Sequence, residues 1–232
     1  MKRNYCIIVA AGKSRRMNST VSKQFIFIGG KPILAYTIDA FEKSSLIDKI
    51  VLVINEAEIE KCKKIIVNKY NYKKLMKIVP GGKERQNSVF NGLKVLPSET
   101  NLVAIHDGAR FLITPDIIDR AVRDAYDSNG VIVAMPIQDT IKETNSNKII
   151  SKTFNRDRLW AAQTPQVFPY SIIMKAHEKA REDNFFGTDD ASLVERLGYE
   201  VDIVRGSVEN IKITTNFDLI LAEIILNKRK IK

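Results

Sequence analysis

The chain has 232 residues, 44% of them hydrophobic, and a formal net charge of +10. Such a length and composition support one large α/β domain spanning 1–232 with a sizeable core and exclude a disordered polymer. No run of about 18 apolar residues occurs, which excludes a membrane-spanning helix, and the basic start MKRNYCIIVAAGK has too short an apolar run for a secretory signal. A cytoplasmic location is the resulting expectation.

Apolar, β-rich runs predict strands at Tyr5–Ala10, Lys49–Ile54, Leu75–Val79, Leu102–His106 and Val131–Met135. Helically spaced stripes separate them. They are Ile33, Leu34, Thr37, Ile38 and Phe41; then Val89, Leu93 and Leu96; then Ile117, Ile118, Ala121, Val122 and Ala125. Near-continuous apolar strands alternating with helices predict a mostly parallel central sheet covered on both faces. At 139–154 the rhythm changes to two short strands around the turn Asn145-Ser146-Asn147. A hairpin there would protrude as a β-arm. A two-stranded hairpin is marginal alone, so it packs either on a second subunit or back on its own domain. Beyond it come an apolar segment at 163–168 and a helix near 171–182, with His177 assigned to its polar side. A second helix follows at 187–198, where Asp189 and Asp190 read as capping acids rather than metal ligands. A strand at 201–204 and a helix at 217–226 close the chain. Cys6 and Cys62 have no metal-type spacing and read as structural. The lysine-rich stretch 61–74 and the tail NKRKIK read as solvated helix faces.

In a parallel sheet, ligands bind beyond the carboxyl ends of the strands, so the loops there carry the functional reading. The first runs from Gly12 to Gln24 and carries Lys13, Arg15, Arg16 and Lys23 over thirteen residues without one acid. Small residues at Ala10, Ala11 and Gly12 let a ligand approach the main chain, and main-chain amides with arginine forks suit phosphate oxygens. The alternative is a solvated loop. Neither GxxxxGK[ST] nor GxGxxG is present, so this is neither a Walker loop nor a dinucleotide fingerprint. A second loop holds Gly81 and Gly82, followed by Lys83, Glu84, Arg85 and Ser88. A third places Asp107 after the strand LVAIH. A single carboxylate in a basic cleft suits one Mg²⁺ shared with substrate phosphates; otherwise it pairs with Arg110. His106 reads as a packed residue rather than a catalyst.

Eight segments in order resemble one family, the 2-C-methyl-D-erythritol 4-phosphate cytidylyltransferases. They are AAGKSRRM…SKQF, KPILAYTIDAF, PGGKERQNSVFNGL, IHDGAR, QDTIK, TFNRDRLWAAQTPQVF, TDDASLVE and ENIKITTNFDLILAE. The resemblance implies a nucleotide-diphospho-sugar-transferase-like fold, Mg²⁺ dependence and a homodimer through the 139–154 arm. It implies transfer of a cytidylyl group from CTP to methylerythritol 4-phosphate, with loss of pyrophosphate. By matched position, Arg16 and Lys23 would stabilise the transition state, and Arg156 and Lys212 would position the sugar phosphate. Ala10, Ala11, Gly12, Gly81, Gly82 and Ser88 would hold CTP. Asp107 would bind metal and substrate, Arg110 and Thr140 would complete the sugar-phosphate pocket, and Thr164 would bind substrate. Three positions depart from the family pattern: Ser14 replaces glycine, Lys83 an acidic or small residue, and Phe111 a proline. A ribitol-5-phosphate cytidylyltransferase would use the same chemistry. A basic nucleic-acid-binding module and a non-catalytic sugar-nucleotide sensor are the readings from other classes. The first would want aromatic residues on the basic loop, which has none, and the second does not need the retained charged set.

Overall fold

The structure, a computed structural model, describes residues 3–12 and 22–230. Arg16 and Ser14 lie outside the described residues. In chain order the elements are β1 (Tyr5–Ala10), β2 (Phe27–Ile28), β3 (Lys31–Pro32), α1 (Ile33–Lys43), β4 (Lys49–Ile54), α2 (Ile59–Cys62), α3 (Asn68–Tyr70) and β5 (Leu75–Pro80). They continue with α4 (Arg85–Leu93), β6 (Leu102–Asp107), α5 (Pro115–Asp124), β7 (Val131–Pro136), β8 (Lys142–Thr144) and β9 (Ile150–Thr153). The chain closes with β10 (Trp160–Pro169), α6 (Tyr170–Glu182), α7 (Asp190–Arg196), β11 (Asp202–Arg205) and α8 (Asn216–Lys230).

Seven strands form the main sheet in the order β11-β7-β10-β6-β1-β4-β5. β1 lies parallel to both β4 and β6, β4 to β5, and β7 to β11; β10 runs antiparallel between β6 and β7. The sheet is therefore mixed but mostly parallel. The β10 strand reaches back to Trp160, well before the apolar segment expected at 163–168, and its pairing shifts register between Ala162 and Gln166.

Apolar side chains from α1 and α5, with Ile8, Leu52 and Ala104, fill one face of the sheet. Side chains from α4, α6 and α7, with Ile7, Val53 and Ile105, fill the other. Alternate residues of one strand thus serve opposite cores, which is why these strands read as unbroken apolar runs. A third cluster joins α8 to Ile28, Ile33 and Phe111, whose ring meets Tyr36 with centroids 5.5 Å apart. The departure at Phe111 is therefore a core side chain.

Most expected elements fall within a residue or two of those observed. Leu96 is buried but lies beyond the end of α4. Lys61, Lys63, Lys64 and Lys69 are exposed, as expected, while the tail is not simply solvated. Arg229 bonds Glu209 at 2.8 Å and donates to the Leu112 carbonyl at 2.8 Å. Cys6 and Cys62 are buried and unpaired; burial pushes the Cys6 thiol up, and burial with Glu58 pushes Cys62 up to about 12. Neither is a thiolate at neutral pH.

Among the described residues the strands β8 and β9 pair only with each other, and every residue from Lys142 to Thr153 is exposed. This is the protruding arm. Among the described residues no helix is long and apolar enough to cross a membrane.

Candidate active site

The carboxyl ends of β1, β5 and β6 open into a cavity of about 690 Å³. On one side lie Ala10, Ala11 and Gly12, at the end of β1. Opposite are Gly82, Lys83 and Ser88, from the loop into α4, and Lys23, Asp107 and Lys212 converge on the same space. A smaller cavity, about 250 Å³, adjoins through Arg85, Asp107 and Lys212 and extends to Arg110, Gln163 and Thr164.

The glycine loop sets the shape of the larger cavity. A Cβ on Gly81 would stand 2.2 Å from the Ala11 Cβ, and one on Gly82 would stand 2.4 Å from the Asn87 Cβ. Only glycine lets this loop close on the loop after β1 and on the start of α4. Ser88 is buried; its Oγ accepts from the Gly82 amide at 3.0 Å and donates to the Glu84 carbonyl at 3.1 Å. It therefore acts as a brace for the glycine loop.

β6 is buried along its whole length, including His106 and Asp107 at its end. The Asp107 carboxylate meets Lys212 Nζ at 2.7 Å, Arg85 Nε at 3.0 Å and Arg110 Nε at 4.0 Å. The pair with Arg110, the alternative reading of Asp107, is thus the loosest of three. Burial alone would raise the Asp107 carboxyl, but Arg85 and Lys212 outweigh it and hold the group well below the ordinary carboxylate range. Arg85 spans two carboxylates, because its Nη1 also reaches Asp190 at 2.7 Å. Burial opposes the guanidinium charge, yet Asp190 and Asp107 more than compensate and push its pKa above the ordinary value.

The end of β6 is braced from β10. The Thr164 hydroxyl accepts from the Asp107 amide at 3.1 Å and lies 3.0 Å from His106 Nδ1, so it donates to that nitrogen. His106 Nε2 then donates to the Arg110 carbonyl at 3.2 Å. Burial pushes the imidazole down to about 3, so the ring is a neutral spacer, in line with its reading as a packed residue. Arg110 donates to the Asn210 carbonyl at 2.9 Å and faces the smaller cavity. Lys23 Nζ donates to the Ile213 carbonyl at 3.2 Å, which ties the end of the basic loop to the segment that carries Lys212.

Of the residues singled out from sequence, Ala10, Ala11, Gly12, Lys23, Gly82, Ser88, Asp107 and Lys212 line the larger cavity, with Gly81 adjoining. Arg110 and Thr164 line the smaller one. Arg156 and Thr140 line neither. Arg156 is exposed at the foot of the arm, donating to the Gln138 carbonyl at 2.8 Å, and Thr140 is exposed before β8. Two assignments need correction. His177 does not lie on a polar face: it is fully buried, with Nε2 3.1 Å from Asp190 Oδ1. Asp190 is not a cap. Asp189 alone caps α7, accepting from the Ser192 amide at 3.0 Å, while Asp190 is buried under Arg85. Arg85 was missed as a site residue. Its signal was its place, the first residue of a helix that follows a glycine pair at a strand's carboxyl end.

The sheet order and a basic cleft split by an ion-paired wall define a nucleotidyltransferase-like fold with room for a polyanionic ligand. The sequence model for 2-C-methyl-D-erythritol 4-phosphate cytidylyltransferase (IspD) matches residues 5–228. The chain belongs to that family. It is 47% identical over 222 residues to the 2-C-methyl-D-erythritol 4-phosphate cytidylyltransferase of Caldanaerobacter subterraneus subsp. tengcongensis, covering 96% of this chain and 98% of that one. With the enzyme of the same name from Clostridium botulinum strain Langeland it is 49% identical over 228 residues, covering 98% and 99%. The crystal structure of 4-diphosphocytidyl-2C-methyl-D-erythritol synthase from Anaerococcus prevotii superposes with a TM-score of 0.87 at 33% identity, covering 97% of this chain and 96% of that one.

Proposed function

We propose that the chain transfers a cytidylyl group from CTP to 2-C-methyl-D-erythritol 4-phosphate, releasing pyrophosphate, as a step of isoprenoid biosynthesis. The observation that carries the reading is the convergence of Arg85 and Lys212 on Asp107, where a nucleotide-sized cavity, with Lys23 in its wall, meets a smaller one. The larger cavity takes CTP, its triphosphate against Gly12, Lys23 and the glycine loop. The smaller takes the acceptor, with Arg110 and Thr164 in its wall.

A phosphate monoester carries about −1.5 to −2 at neutral pH, so the acceptor oxygen needs no general base. That oxygen forms a bond to the α-phosphorus of CTP, and the bond to the α–β bridging oxygen breaks. The bridging oxygen leaves on pyrophosphate with the electron pair. The barrier is the approach of two anions and the charge gained by the leaving group, so catalysis is positioning with electrostatic stabilisation. Lys23, with Arg16 in the basic loop, neutralises the triphosphate. Lys212 stands at the meeting of the two cavities and orients the incoming phosphate.

Mg²⁺ characteristically keeps several waters and takes one or two carboxylates plus substrate phosphates. Among the described residues no cluster of three metal-ligating side chains occurs, and Asp107 is held ionised in the wall of both cavities. Arg85 already meets Oδ1 of that carboxylate and Lys212 meets Oδ2, so an ion there would share Asp107 with these cations and be completed by substrate oxygens and water. Asp107 would hold it, and the ion would supply further neutralisation of the triphosphate.

We propose further that two copies associate through the arm. Its Ile149 and Ile150 are 63% and 58% exposed, an apolar surface suited to burial against a second subunit. Arg156 and Thr140, which line neither cavity of their own chain, would then complete the partner's acceptor pocket. Sedimentation of a variant lacking 139–154 tests this: a monomer is expected, and a persistent dimer contradicts it. The reaction itself is assigned to the cytoplasm, where CTP is available. A pyrophosphate-release assay with CTP, Mg²⁺ and either methylerythritol 4-phosphate or ribitol 5-phosphate tests the function. Turnover with the first alone supports it, and turnover with ribitol 5-phosphate alone, or with neither, overturns it.

A further inference from the structure

Among the described residues, Arg85 is the one side chain that touches both Asp107, in the wall between the cavities, and the buried acid Asp190. Its two contacts use different nitrogens, Nε toward Asp107 and Nη1 toward Asp190, so together they fix the guanidinium plane as well as its position. Asp190 is 1% exposed and lines neither cavity. Its second oxygen faces His177 Nε2 at 3.1 Å. Asp190 is held ionised: burial would raise its carboxyl, but Arg85 and the bond from His177 push it down. His177 therefore donates from Nε2, and its buried Nδ1 has no partner among the described residues. The ring is fixed against Phe90, with centroids 6.2 Å apart and planes inclined by 18°.

Helix stability does not account for this arrangement. Asp189 already caps α7, and a buried acid beside it costs desolvation. Nor does catalysis at a distance, since neither His177 nor Asp190 can reach a substrate in either cavity. What the pair does is occupy the far side of Arg85. His177 comes from α6, Asp190 from α7 and Arg85 from α4, so three helices on one face of the sheet meet at this point.

We propose that His177 and Asp190 are positioning residues that orient Arg85, and that Arg85 in turn holds Asp107 at the junction of the CTP and acceptor pockets. The inference rests on the cytidylyltransferase reading for the identity of those pockets. A merely structural pair would tie α6 to α7, and its loss would cost stability whatever residue stood at 85. A positioning pair acts only through the guanidinium.

The test is a double-mutant cycle on the full-length protein, since residues acting in one network are non-additive. Asp190→Asn is expected to lower kcat at least about tenfold with Arg85 present, and less than about twofold in the Arg85→Ala background. His177→Leu should follow the same pattern. His177→Gln, which keeps an N–H donor for Asp190, should keep at least about half of kcat, because one donor replaces another. Equal fold losses in the two backgrounds, or full activity in both Asp190→Asn and His177→Leu, would overturn the proposal. Should Asp190→Asn fail to fold, the His177 series decides by the same criterion. Failure of the function itself would appear separately, as wild-type protein that binds CTP without releasing pyrophosphate. The cycle is then read in CTP dissociation constants by calorimetry, with the same pattern expected and the same additivity overturning it.

Discussion

Replacing Lys212 by methionine removes one ammonium group and keeps most of the side-chain volume. In the structure that group lies 2.7 Å from Asp107 and borders both cavities. A unit charge about 4 Å from a phosphate oxygen is worth ~4 kcal/mol at an effective dielectric of about 20. Lys212 is 37% exposed, so solvent screening reduces that value. A loss of about 1.4–3 kcal/mol of transition-state stabilisation remains, which is roughly a tenfold to 150-fold fall in kcat/KM for the acceptor. The fold should survive, because Asp107 keeps Arg85 at 3.0 Å. The assay is initial-rate pyrophosphate release at saturating CTP with acceptor varied, alongside a denaturation curve for the same protein. A kcat/KM within twofold of wild type, in a variant that unfolds normally, would refute the placement of Lys212 against the acceptor phosphate.

Gly81→Ala places a methyl 2.2 Å from the Ala11 Cβ, and the loop after β1 must move; about 1–3 kcal/mol of stability is expected to be lost, together with CTP affinity, measured by urea unfolding and calorimetry. Lys23→Ala should lower kcat at least about tenfold, roughly 1.4 kcal/mol, in steady-state turnover. Arg156→Ala should raise the acceptor KM far more than the CTP KM, and equal changes would contradict its assignment. The Asp119 carboxylate accepts from Ser44, Ser45 and Leu46, and although burial would raise it, these bonds push it below its ordinary value. Its stabilising contribution is therefore full above the unfolded value of about 3.9 and is lost as pH falls through the lower folded value. The stability gap between wild type and Asp119→Asn, followed by denaturation at a series of pH values, should close below about pH 3.9; a constant gap would contradict the sign.

Much of the sheet was legible because its strands are buried on both faces, so β1 and β4 stand out as unbroken apolar runs with the observed limits. The cavity loops were legible for a related reason: in a parallel sheet, the residues after those runs have to meet. Residues whose role depends on distant packing were less visible. In SIIMKAHEKA the two lysines and one glutamate around His177 suggest a polar face, yet Ile173, Ala176, His177 and Ala180 form the buried stripe. That spacing was the available signal. Asp189 and Asp190 are indistinguishable in TDDAS; only the docking of α7 against α4 turns one to its own helix and the other to Arg85. The reach of β10 back to Trp160 was hidden because its first three residues are exposed. Arg156 and Thr140 entered through family resemblance alone, and one chain's geometry gives them no shared pocket with Lys212.

The central claim is that CTP lies between the loop after β1 and the glycine loop, with its α-phosphate presented to Lys212 at the wall it shares with the smaller cavity. A crystal structure of the protein with CTP tests it most directly. The account predicts the triphosphate against Gly12, Lys23 and Gly82, with the α-phosphate nearest Asp107 and Lys212. Cytidine density on another surface, or a triphosphate directed away from Lys212, would contradict it.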